Sequence, residues 1–324
     1  MKLSASLFTG GGGFDIGAMQ AGYKPVWGIE IEPQIAEYAE RNIKDFRVIV
    51  SDVSTVDYSI LPCVDHLHLS PVCKNASVAN SQGGEAPEDI EAARASCRAI
   101  EAIQPETVTL ENVWAYRDFE AFHLIIRCLI ENGYRLDWWH LNAADYGVPQ
   151  TRKRLILIAD KNRQPQRPQP THSETPDMFG VYKPWIGWYE AIEDLLPELP
   201  ESQFAPWQLE RLPDELQTMA VSNQGFGDSF VVGSQYGRFS EVHNRPPQTR
   251  LWNDPYFALT ASGAAHGDQR AFIGHVVKLT PRALARFQSF PDWYDLPDAN
   301  GLACKIVGNA VPCLLAQRIM ESLG

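Results

Sequence analysis

Short apolar runs alternate with segments of helical periodicity through the first half of the chain. This alternation is typical of a doubly wound, mostly parallel sheet with helices on both faces, so we predict an α/β fold for residues 1–160. The predicted strands are Leu3–Phe8, Val26–Ile29, Arg47–Val50, Val64–Leu69, Thr107–Leu110, Leu136–Leu141 and Arg154–Ala159. The predicted helices are Phe14–Ala21, a segment that follows Pro33, Pro87–Ile103 and Phe119–Glu131.

The regular alternation stops after Lys161. Residues 164–170 are rich in Pro and Gln and indicate a linker. Residues 171–275 contain short β-like pieces such as Phe230–Val232 without a regular period, which predicts a second, smaller and irregular β-rich domain. A last helix, Ala310–Leu323, is expected to return to the first sheet. We therefore predict three segments: 1–163, 164–278 and 279–324.

Composition limits the classes of protein to which the chain can belong. It has 324 residues, of which 44% are hydrophobic, enough for one large domain and a smaller one. No apolar run approaches the roughly 18 residues of a transmembrane helix, so we expect no membrane span. The six cysteines lack close-paired metal spacing, which indicates no metal site and a reducing cytoplasm.

Charge is distributed unevenly along the chain. The net charge of -12 argues against a nucleic-acid partner, since such proteins are commonly basic. Between Thr151 and Pro168, however, six cations accompany the single acid Asp160. This clustering allows one basic face on an acidic protein, although ordinary solvated surface charge explains it equally well.

The strongest chemical signal follows the predicted strand Val64–Leu69, where a Ser-Pro break leads to Cys73. A lone cysteine is more often a small buried hydrophobic residue than a nucleophile. Glu111 ends the next apolar strand, and Arg152 and Arg154 follow a third. Because ligands bind at the carboxyl ends of strands in open α/β sheets, these groups predict a catalytic site with a thiol, a carboxylate and two guanidiniums.

A glycine run, Gly10–Gly13, follows the first strand and allows a ligand to approach the strand tip closely. Alone it could be a simple strand-to-helix turn. Glu30 and Asp52 end the next two strands, where carboxylates can bind a ribose diol and an adenine amino group. No Gly-Lys-Ser/Thr phosphate loop is present, so the pattern predicts an adenosyl ligand without a triphosphate.

On these motifs, the chain resembles the cytosine-5 DNA methyltransferases of bacterial or phage type. The similarity covers about 160 N-terminal and about 45 C-terminal residues in the motif order of that family. The family commonly has Asp, Pro, Gln and Glu where this chain has Ser6, Val72, Lys74 and Ala283. The matching segments are Leu7–Phe14, Ser70–Cys73, Glu111–Val113, Tyr146–Arg154, Leu279–Arg282 with Phe290–Asp292, and Ile306–Pro312.

The resemblance implies a fold of the S-adenosylmethionine-dependent methyltransferase type and a covalent mechanism. Cys73 would attack carbon 6 of a flipped cytosine, Glu111 would bind its ring, and Arg152 and Arg154 would bind its carbon-2 oxygen and a phosphate. Residues 1–163 would be catalytic, 164–278 would recognise DNA, and 279–324 would return to the catalytic domain. The implied S-adenosylmethionine contacts are Phe8, Gly10, Gly12, Gly13, Glu30, Ile31, Asp52, Val53, Asn309 and Ala310.

The implied partner is double-stranded DNA, bound by a cytoplasmic monomer without metal and with a companion restriction endonuclease. The stretches 222–225 and 235–238 are candidate DNA contacts, and the polar loop 77–84 is a candidate lid over the flipped base. Two alternatives remain open. One is a tRNA cytosine-5 methyltransferase with the same chemistry. The other is a non-catalytic DNA-binding relative, which Val72 and Lys74 in the cysteine motif would suit.

Overall fold

This computed structural model describes residues 1–71, 84–176, 180–204, 209–210, 212–222, 229–233, 248–259 and 269–324. Cys73 and Lys74, the loop 77–83 and the candidate DNA contacts 223–225 and 235–238 lie outside the described residues. The chain forms two compact units. The first unit comprises residues 1–146, 153–170 and 310–324, and the second comprises 147–152 and 171–309.

The first unit contains a seven-stranded sheet with the strand order β3-β2-β1-β4-β5-β7-β6. All neighbouring strands are parallel except β7, which runs antiparallel to both β5 and β6. The predicted doubly wound, mostly parallel sheet is thereby confirmed. The strands are Leu3–Leu7 (β1), Lys24–Glu30 (β2), Arg47–Val50 (β3), His66–Leu69 (β4), Thr107–Asn112 (β5), Arg135–Asn142 (β6) and Lys153–Asp160 (β7).

The helices of this unit follow the predicted periodicity closely. They are Gly13–Gln20 (α1), Pro33–Asn42 (α2), Pro87–Ile103 (α3), Glu120–Glu131 (α4) and Cys313–Glu321 (α9), with 3-10 turns at Val53–Thr55, Tyr58–Ile60, Trp114–Asp118 and Ala143–Tyr146. Helix α3 begins with Pro87, whose missing N–H is not needed in the first turn. The Asp89 carboxylate accepts a hydrogen bond from Ala86 N at 2.9 Å and so closes the helix start.

The two faces of the central strands differ in chemistry. Because side chains alternate along a strand, one face of β1, β4 and β5 is apolar and packs into the main core with residues of α3 and α4. The opposite face is polar and buried. It carries His66 and His68 on β4 and Thr107 and Thr109 on β5.

These four residues form a hydrogen-bonded ladder. His66 Nδ1 lies 2.9 Å from Thr107 Oγ1, and His66 Nε2 lies 3.1 Å from Thr109 Oγ1. His68 Nδ1 lies 2.9 Å from Thr109 Oγ1. The ring of Phe14 in α1 stacks on His68 with 3.4 Å between centroids. Burial lowers the pKa of His66 to about 3, so both imidazoles are neutral near pH 7.

Helix α9 packs directly on α1, as expected of the last helix. Gly17 permits the contact, since a Cβ there would lie 2.3 Å from Cys313 O. Beside this contact a polar cluster is buried beneath β1. Ser6 Oγ donates to Asp15 Oδ2 at 3.0 Å and lies 2.9 Å from Thr9 Oγ1. Burial raises the pKa of Asp15 to about 7, with the hydrogen bond from Ser6 opposing the shift.

The second unit confirms a smaller β-rich region. Its four-stranded antiparallel sheet has the order β11-β10-β12-β13, and a short parallel pair is formed by β8 and β9. Phe204, Phe230 and Phe272 pack in its core. The strands are His172–Ser173 (β8), Lys183–Pro184 (β9), Phe230–Gly233 (β10), Gln248–Leu251 (β11), Arg270–Phe272 (β12) and Val276–Lys278 (β13). The helices are Trp188–Ile192 (α5), Asp214–Ser222 (α6), Pro281–Phe287 (α7) and Asn300–Asn309 (α8), with a 3-10 turn at Glu193–Glu198.

The compact units and the predicted segments have different boundaries. The proposed linker, residues 164–170, belongs to the first unit. Pro165 and Pro168 are buried there, and Tyr146 Oη donates to Pro168 O at 3.0 Å. Helices α7 and α8, within the predicted returning segment, belong to the second unit. The division into catalytic and DNA-recognition domains is a division of function and stays a prediction.

One described segment, Asn300–Glu321, is long and apolar enough to be compared with a membrane span. Its most apolar window has a mean hydropathy of 1.2, and 67% of that window is buried within the protein. The segment consists of two helices, α8 and α9, which are separated at residues 310–312. Helices in the core of a protein are buried to this extent.

Candidate active site

The strand order of the first unit reverses between β1 and β4, and ligands bind at the carboxyl edge beside such a switch point. Because β7 runs antiparallel, its amino end reaches the same edge as the carboxyl end of β5. The register pairs Glu111 with Ile156, so Arg154 emerges just beyond Glu111 on the same face of the sheet. This topology brings together residues that are distant in sequence.

The Glu111 carboxylate is buried and held from two sides. Ser70 Oγ donates a hydrogen bond to Glu111 Oε2 at 3.0 Å. Arg154 Nε lies 2.9 Å from Glu111 Oε1, and these side chains are 15% and 8% exposed, respectively. Burial lowers the pKa of Arg154, while the charge of Glu111 opposes that shift. The result is a fixed carboxylate with a guanidinium beside it in a site largely screened from water.

Asn112 fixes the beginning of the segment that leads to Cys73. Its Nδ2 donates to Pro71 O at 2.9 Å, and its Oδ1 accepts from Val113 N at 2.8 Å. Both side-chain atoms of this buried amide are therefore used by the backbone. Asn112 and Ser70 together tie the chain just before Cys73 to the strand that carries Glu111.

Glu30 holds the glycine turn after β1. Its Oε2 accepts from Gly10 N at 2.9 Å, and its Oε1 accepts from Glu32 N at 3.0 Å. Each carboxylate oxygen can accept more than one hydrogen bond, so both retain capacity for a ligand hydroxyl. Glu30 is partly exposed and can bind a diol at this edge.

The turn itself has a backbone that few side chains allow. Phe8 has φ 62°, Gly10 has φ 56° and Gly12 has φ 79°. At Gly12 a Cβ would lie 2.7 Å from Ile43 Cδ1, whereas at Gly10 a Cβ would meet no atom within 4 Å. The open space at Gly10 is a cradle that a side chain would fill, and a non-glycine residue at positive φ, such as Phe8, is uncommon enough to suggest a functional constraint.

Asp52 and its neighbours form the outer end of this region. Asp52 Oδ1 accepts from Ser54 N at 2.8 Å, and this bond lowers the pKa of the exposed carboxyl below 3.8. Val53 is buried, while 61% of Ile31 is exposed. Gly13, which begins α1, and Ala310 are both buried in the first unit.

Two of the predicted site residues belong to the second unit, namely Arg152 and Asn309. Arg152 is 4% exposed, and its Nη1 donates to Leu259 O at 2.6 Å and to Gly308 O at 3.4 Å. The guanidinium therefore serves as an internal brace of that unit. Its predicted contacts with cytosine and phosphate, and the cofactor contact of Asn309, stay predictions.

Several cations between residues 151 and 168 have partners within the chain. Lys161 Nζ donates to Gln104 Oε1 at 2.7 Å, and Arg163 Nε pairs with Asp160 at 3.2 Å. Lys153 is exposed and has no side-chain partner among the described residues. Arg163 and Arg167 are exposed as well, so a basic face on this protein stays a prediction.

The sequence did not indicate the supporting roles of two residues, Ser70 beside Glu111 and Gln150 within the second unit. Gln150 is fully buried, its Nε2 donates to Phe287 O at 3.0 Å, and its Oε1 accepts from Leu259 N at 2.9 Å. The signal for Ser70 was the period of two along β4, which places its side chain on the face of His68 and opposite Glu111. Among the described residues, no cluster of His, Cys, Asp and Glu has the arrangement of a metal site.

Comparison with known proteins places this geometry in a family. A family model described as C-5 cytosine-specific DNA methylase matches residues 3–324. The chain is 26% identical over 344 residues to the Type II methyltransferase M1.HphI of Haemophilus parahaemolyticus, covering 98% of this chain and 85% of that relative. It is 28% identical over 352 residues to the Type II methyltransferase M.FnuDI of Fusobacterium nucleatum, covering 100% and 95%, respectively.

Solved structures share the fold at lower identity. A chain described as a DNA modification methyltransferase encoded within an E. coli prophage is 18% identical, with a TM-score of 0.66 and coverage of 100% of this chain and 98% of that one. The Dnmt2 methyltransferase of S. pombe is 15% identical, with a TM-score of 0.61 and coverage of 100% and 97%. The likeness at this identity concerns the fold.

Proposed function

This chain belongs to the C-5 cytosine-specific DNA methylase family and methylates cytosine in DNA at carbon 5, and we propose that it does so through a covalent Cys73 adduct with S-adenosylmethionine as methyl donor. The observation that carries the mechanism is the Glu111 carboxylate, held by Ser70 and Arg154 beside the segment that leads to Cys73. Such a fixed acid is what a cytosine ring needs as it accumulates charge.

The residues at the edge of β1, β2 and β3 fit the adenosine part of S-adenosylmethionine. The open cradle at Gly10 accommodates a close-lying ligand, and Glu30 can bind the ribose diol. Asp52 lies where it can accept from the adenine amino group, while Phe8 and the exposed Ile31 offer apolar contact. When bound, S-adenosylmethionine supplies an electrophilic methyl group. Gly12, Gly13, Val53, Asn309 and Ala310 complete the proposed contact set.

Cys73 supplies the nucleophile because carbon 5 of cytosine is otherwise unreactive. Its thiolate forms a bond to carbon 6, and the carbon 5–carbon 6 π electrons move toward carbon 5 and the ring nitrogens. Carbon 5 then takes the methyl group. Loss of the carbon-5 proton to a base restores the double bond and expels the thiolate. Lys74 and Arg154 carry the charges that favour the thiolate before attack.

Glu111 binds ring nitrogen 3 and the exocyclic amine as the adduct forms. A proton that Glu111 takes up from solvent is shared with nitrogen 3, and this prevents a full negative charge from developing there. Arg154 orients this carboxyl group and provides a positive charge near the carbon-2 oxygen. Because stacked bases in a duplex are inaccessible to such a pocket, the target cytosine must be flipped out.

The second unit, which contains most of residues 164–278, is proposed to choose the DNA sequence. We further propose that the protein acts as a monomer in the bacterial cytoplasm and is paired with a restriction endonuclease, since its relatives are named Type II methyltransferases. Loss of the companion nuclease would leave the methylation chemistry unchanged.

The mechanism can be tested by trapping. Bisulfite sequencing of DNA from expressing cells first identifies the target cytosine. A duplex with 5-fluorocytosine at that position should then form a denaturation-resistant protein–DNA complex, because fluorine cannot leave as a cation. Cys73→Ala should bind the duplex without forming the complex, and Cys63→Ala, which removes an exposed free cysteine, should trap normally.

Two results would overturn the proposal. Trapping that persists in Cys73→Ala would assign the nucleophile to another residue. Transfer of labelled methyl groups to tRNA but not to duplex DNA would exclude the DNA substrate.

A further inference from the structure

A three-layer stack lies beside the active edge of the first unit, where the chain turns after Glu111–Val113. The Trp114 indole stacks on His140 of β6 with 4.4 Å between ring centroids and 16° between ring planes. The Arg117 guanidinium also lies over the Trp114 ring, with Cζ 4.2 Å from the ring centroid. We name Trp114, Arg117 and His140, together with Lys153, the Trp114 patch.

The sheet register fixes the position of this patch. Asn112 of β5 and His140 of β6 both pair with Leu155 of β7, so the three residues form one row across the sheet. Neighbouring strands are about 4.8 Å apart, which places His140 roughly 10 Å from Asn112. Lys153, at the start of β7, is paired with Asn142 and directly precedes Arg154. The patch therefore lies at the same edge of the sheet as the proposed catalytic carboxylate, with His140 and Lys153 on the opposite face from Glu111 and Arg154.

The cations of the Trp114 patch have few side-chain partners within the protein. Lys153 is exposed and has no side-chain partner among the described residues. Arg117 pairs with Asp118 at 3.3 Å, but these side chains are 35% and 67% exposed, respectively. Exposed pairs contribute roughly 0–1 kcal/mol, so Arg117 can exchange this partner for another anion at little cost.

The stack also prepares Arg117 and His140 for binding. A guanidinium stacked on an indole is already held in place by the ring and loses less freedom when it binds an anion. Burial lowers the pKa of the His140 imidazole, and the nearby cations Lys153, Arg117 and Arg154 lower it further. An anion bound among these groups would relieve their mutual repulsion.

From this juxtaposition we infer that the Trp114 patch binds the phosphodiester backbone of the DNA where it passes this edge of the sheet, with Arg117 and Lys153 on phosphates and His140 as a proton-dependent third contact. The inference rests on the proposed function. A purely structural stack would not need the exposed Lys153 beside the partly exposed Arg117, and a base-stacking platform would not need them either. Backbone binding would hold the DNA at this edge of the sheet.

The test uses the salt dependence of DNA affinity in the full-length protein. Affinity for a short fluorescein-labelled duplex of mixed sequence is measured between about 50 and 200 mM KCl, where log K falls by about 0.9 per phosphate contact for each unit of log salt. Arg117→Gln and Lys153→Gln should each reduce the slope by about 0.9, and the double variant by about twice that. Arg47→Gln, which removes an exposed cation on β3 at the opposite edge of the sheet, should leave the slope unchanged.

Two further readouts separate binding from chemistry. With bacteriophage λ DNA as substrate, the two single variants should raise KM severalfold with little change in kcat or in S-adenosylmethionine affinity. Lowering the pH from about 7.5 to 6 should strengthen DNA binding by the wild type, because a bound phosphate favours the imidazolium form of His140. His140→Gln should lose that gain.

The outcomes distinguish this inference from the proposed function. If the wild type methylates λ DNA but both cation variants keep its salt slope, the patch does not bind phosphate and the inference fails alone. If Arg47→Gln reduces the slope as much as Arg117→Gln, the effect is general charge and the inference also fails. If the wild type neither binds nor methylates DNA, the proposed function fails. Thermal melting of each variant establishes that it is folded.

Discussion

Replacement of Asp15 by Asn should change how stability depends on pH. Burial raises the pKa of this carboxyl from 3.8 to about 7, whereas in the unfolded chain it titrates near its ordinary value. Each pKa unit corresponds to about 1.4 kcal/mol, so the charged form is disfavoured in the folded protein by on the order of 4 kcal/mol. Asn keeps the size of the side chain and an oxygen that can accept from Ser6, but it cannot ionise.

The sign follows from proton binding. Between pH 3.8 and about 7, Asp15 is protonated in the folded protein but ionised in the unfolded chain. The neutral form of Asp15 therefore stabilises the folded protein fully below about pH 3.8. This stabilisation is lost as the pH rises through 7. His66 acts in the opposite sense, because its folded pKa of about 3 makes stability fall as the pH drops below 6.5. His66 contributes equally to the wild type and to Asp15→Asn. The difference between their free energies of unfolding therefore reports on Asp15 alone.

The assay is urea unfolding followed by tryptophan fluorescence at several pH values between about 5 and 8, with linear extrapolation to water. The free energy of unfolding of the wild type should fall relative to Asp15→Asn by about 2–3 kcal/mol across this range, as a single group of pKa near 7 requires. Ser6→Ala should shift the dependence to higher pH, because the hydrogen bond it removes lowers the pKa of Asp15. A pH-independent difference between wild type and Asp15→Asn would refute the buried neutral acid.

Three other substitutions test the site. Glu30→Ala should weaken S-adenosylmethionine binding in calorimetry by about tenfold or more, since a hydrogen bond to a charged group contributes about 1.5–3 kcal/mol; unchanged affinity would reject the assignment. Ser70→Ala should lower kcat by about tenfold through a less ordered Glu111, whereas Ser59→Ala, which removes a similar bond to the exposed Asp57, should not. Arg152→Met should lower the free energy of unfolding by about 2–4 kcal/mol, because two buried carbonyls lose their donor. Arg152 would be a contact to the substrate rather than a brace if melting were unchanged and kcat collapsed.

The fold of the first unit was largely predictable because its strands and helices differ in period. The apolar run at Thr107–Leu110 and the helix Pro87–Ile103 could be identified from hydrophobic spacing and the proline start. The antiparallel direction of β7 could not, since spacing along one strand says nothing about its neighbour. In the second unit, strands of three or four residues, such as Arg270–Phe272, are too short for a period to appear.

The sequence predicted the part of the site that consists of reactive side chains at the ends of strands. Glu30, Asp52 and Glu111 all close strands, and the structure places them at one edge of the sheet. The partners of these acids were harder to foresee. Serine is common in turns, and the period of two along β4 indicates the partner of Ser70 only once the register of β4 and β5 is known. Arg152 and Arg154 share one short motif, yet Arg152 braces carbonyls while Arg154 faces Glu111, a difference that depends on tertiary contacts alone.

The buried ladder of His66, His68, Thr107 and Thr109 also has a consequence for assembly of the sheet. Strands β4 and β5 are joined through a long crossover, so no tight turn sets their alignment. A two-residue slip in either direction would break part of the ladder and separate Ser70 from Glu111. Each buried polar group left unpaired costs roughly 1–3 kcal/mol, so misaligned pairings are penalised where apolar side chains would tolerate them. We therefore expect the imidazoles to select the one alignment in which the catalytic carboxylate meets its hydroxyl.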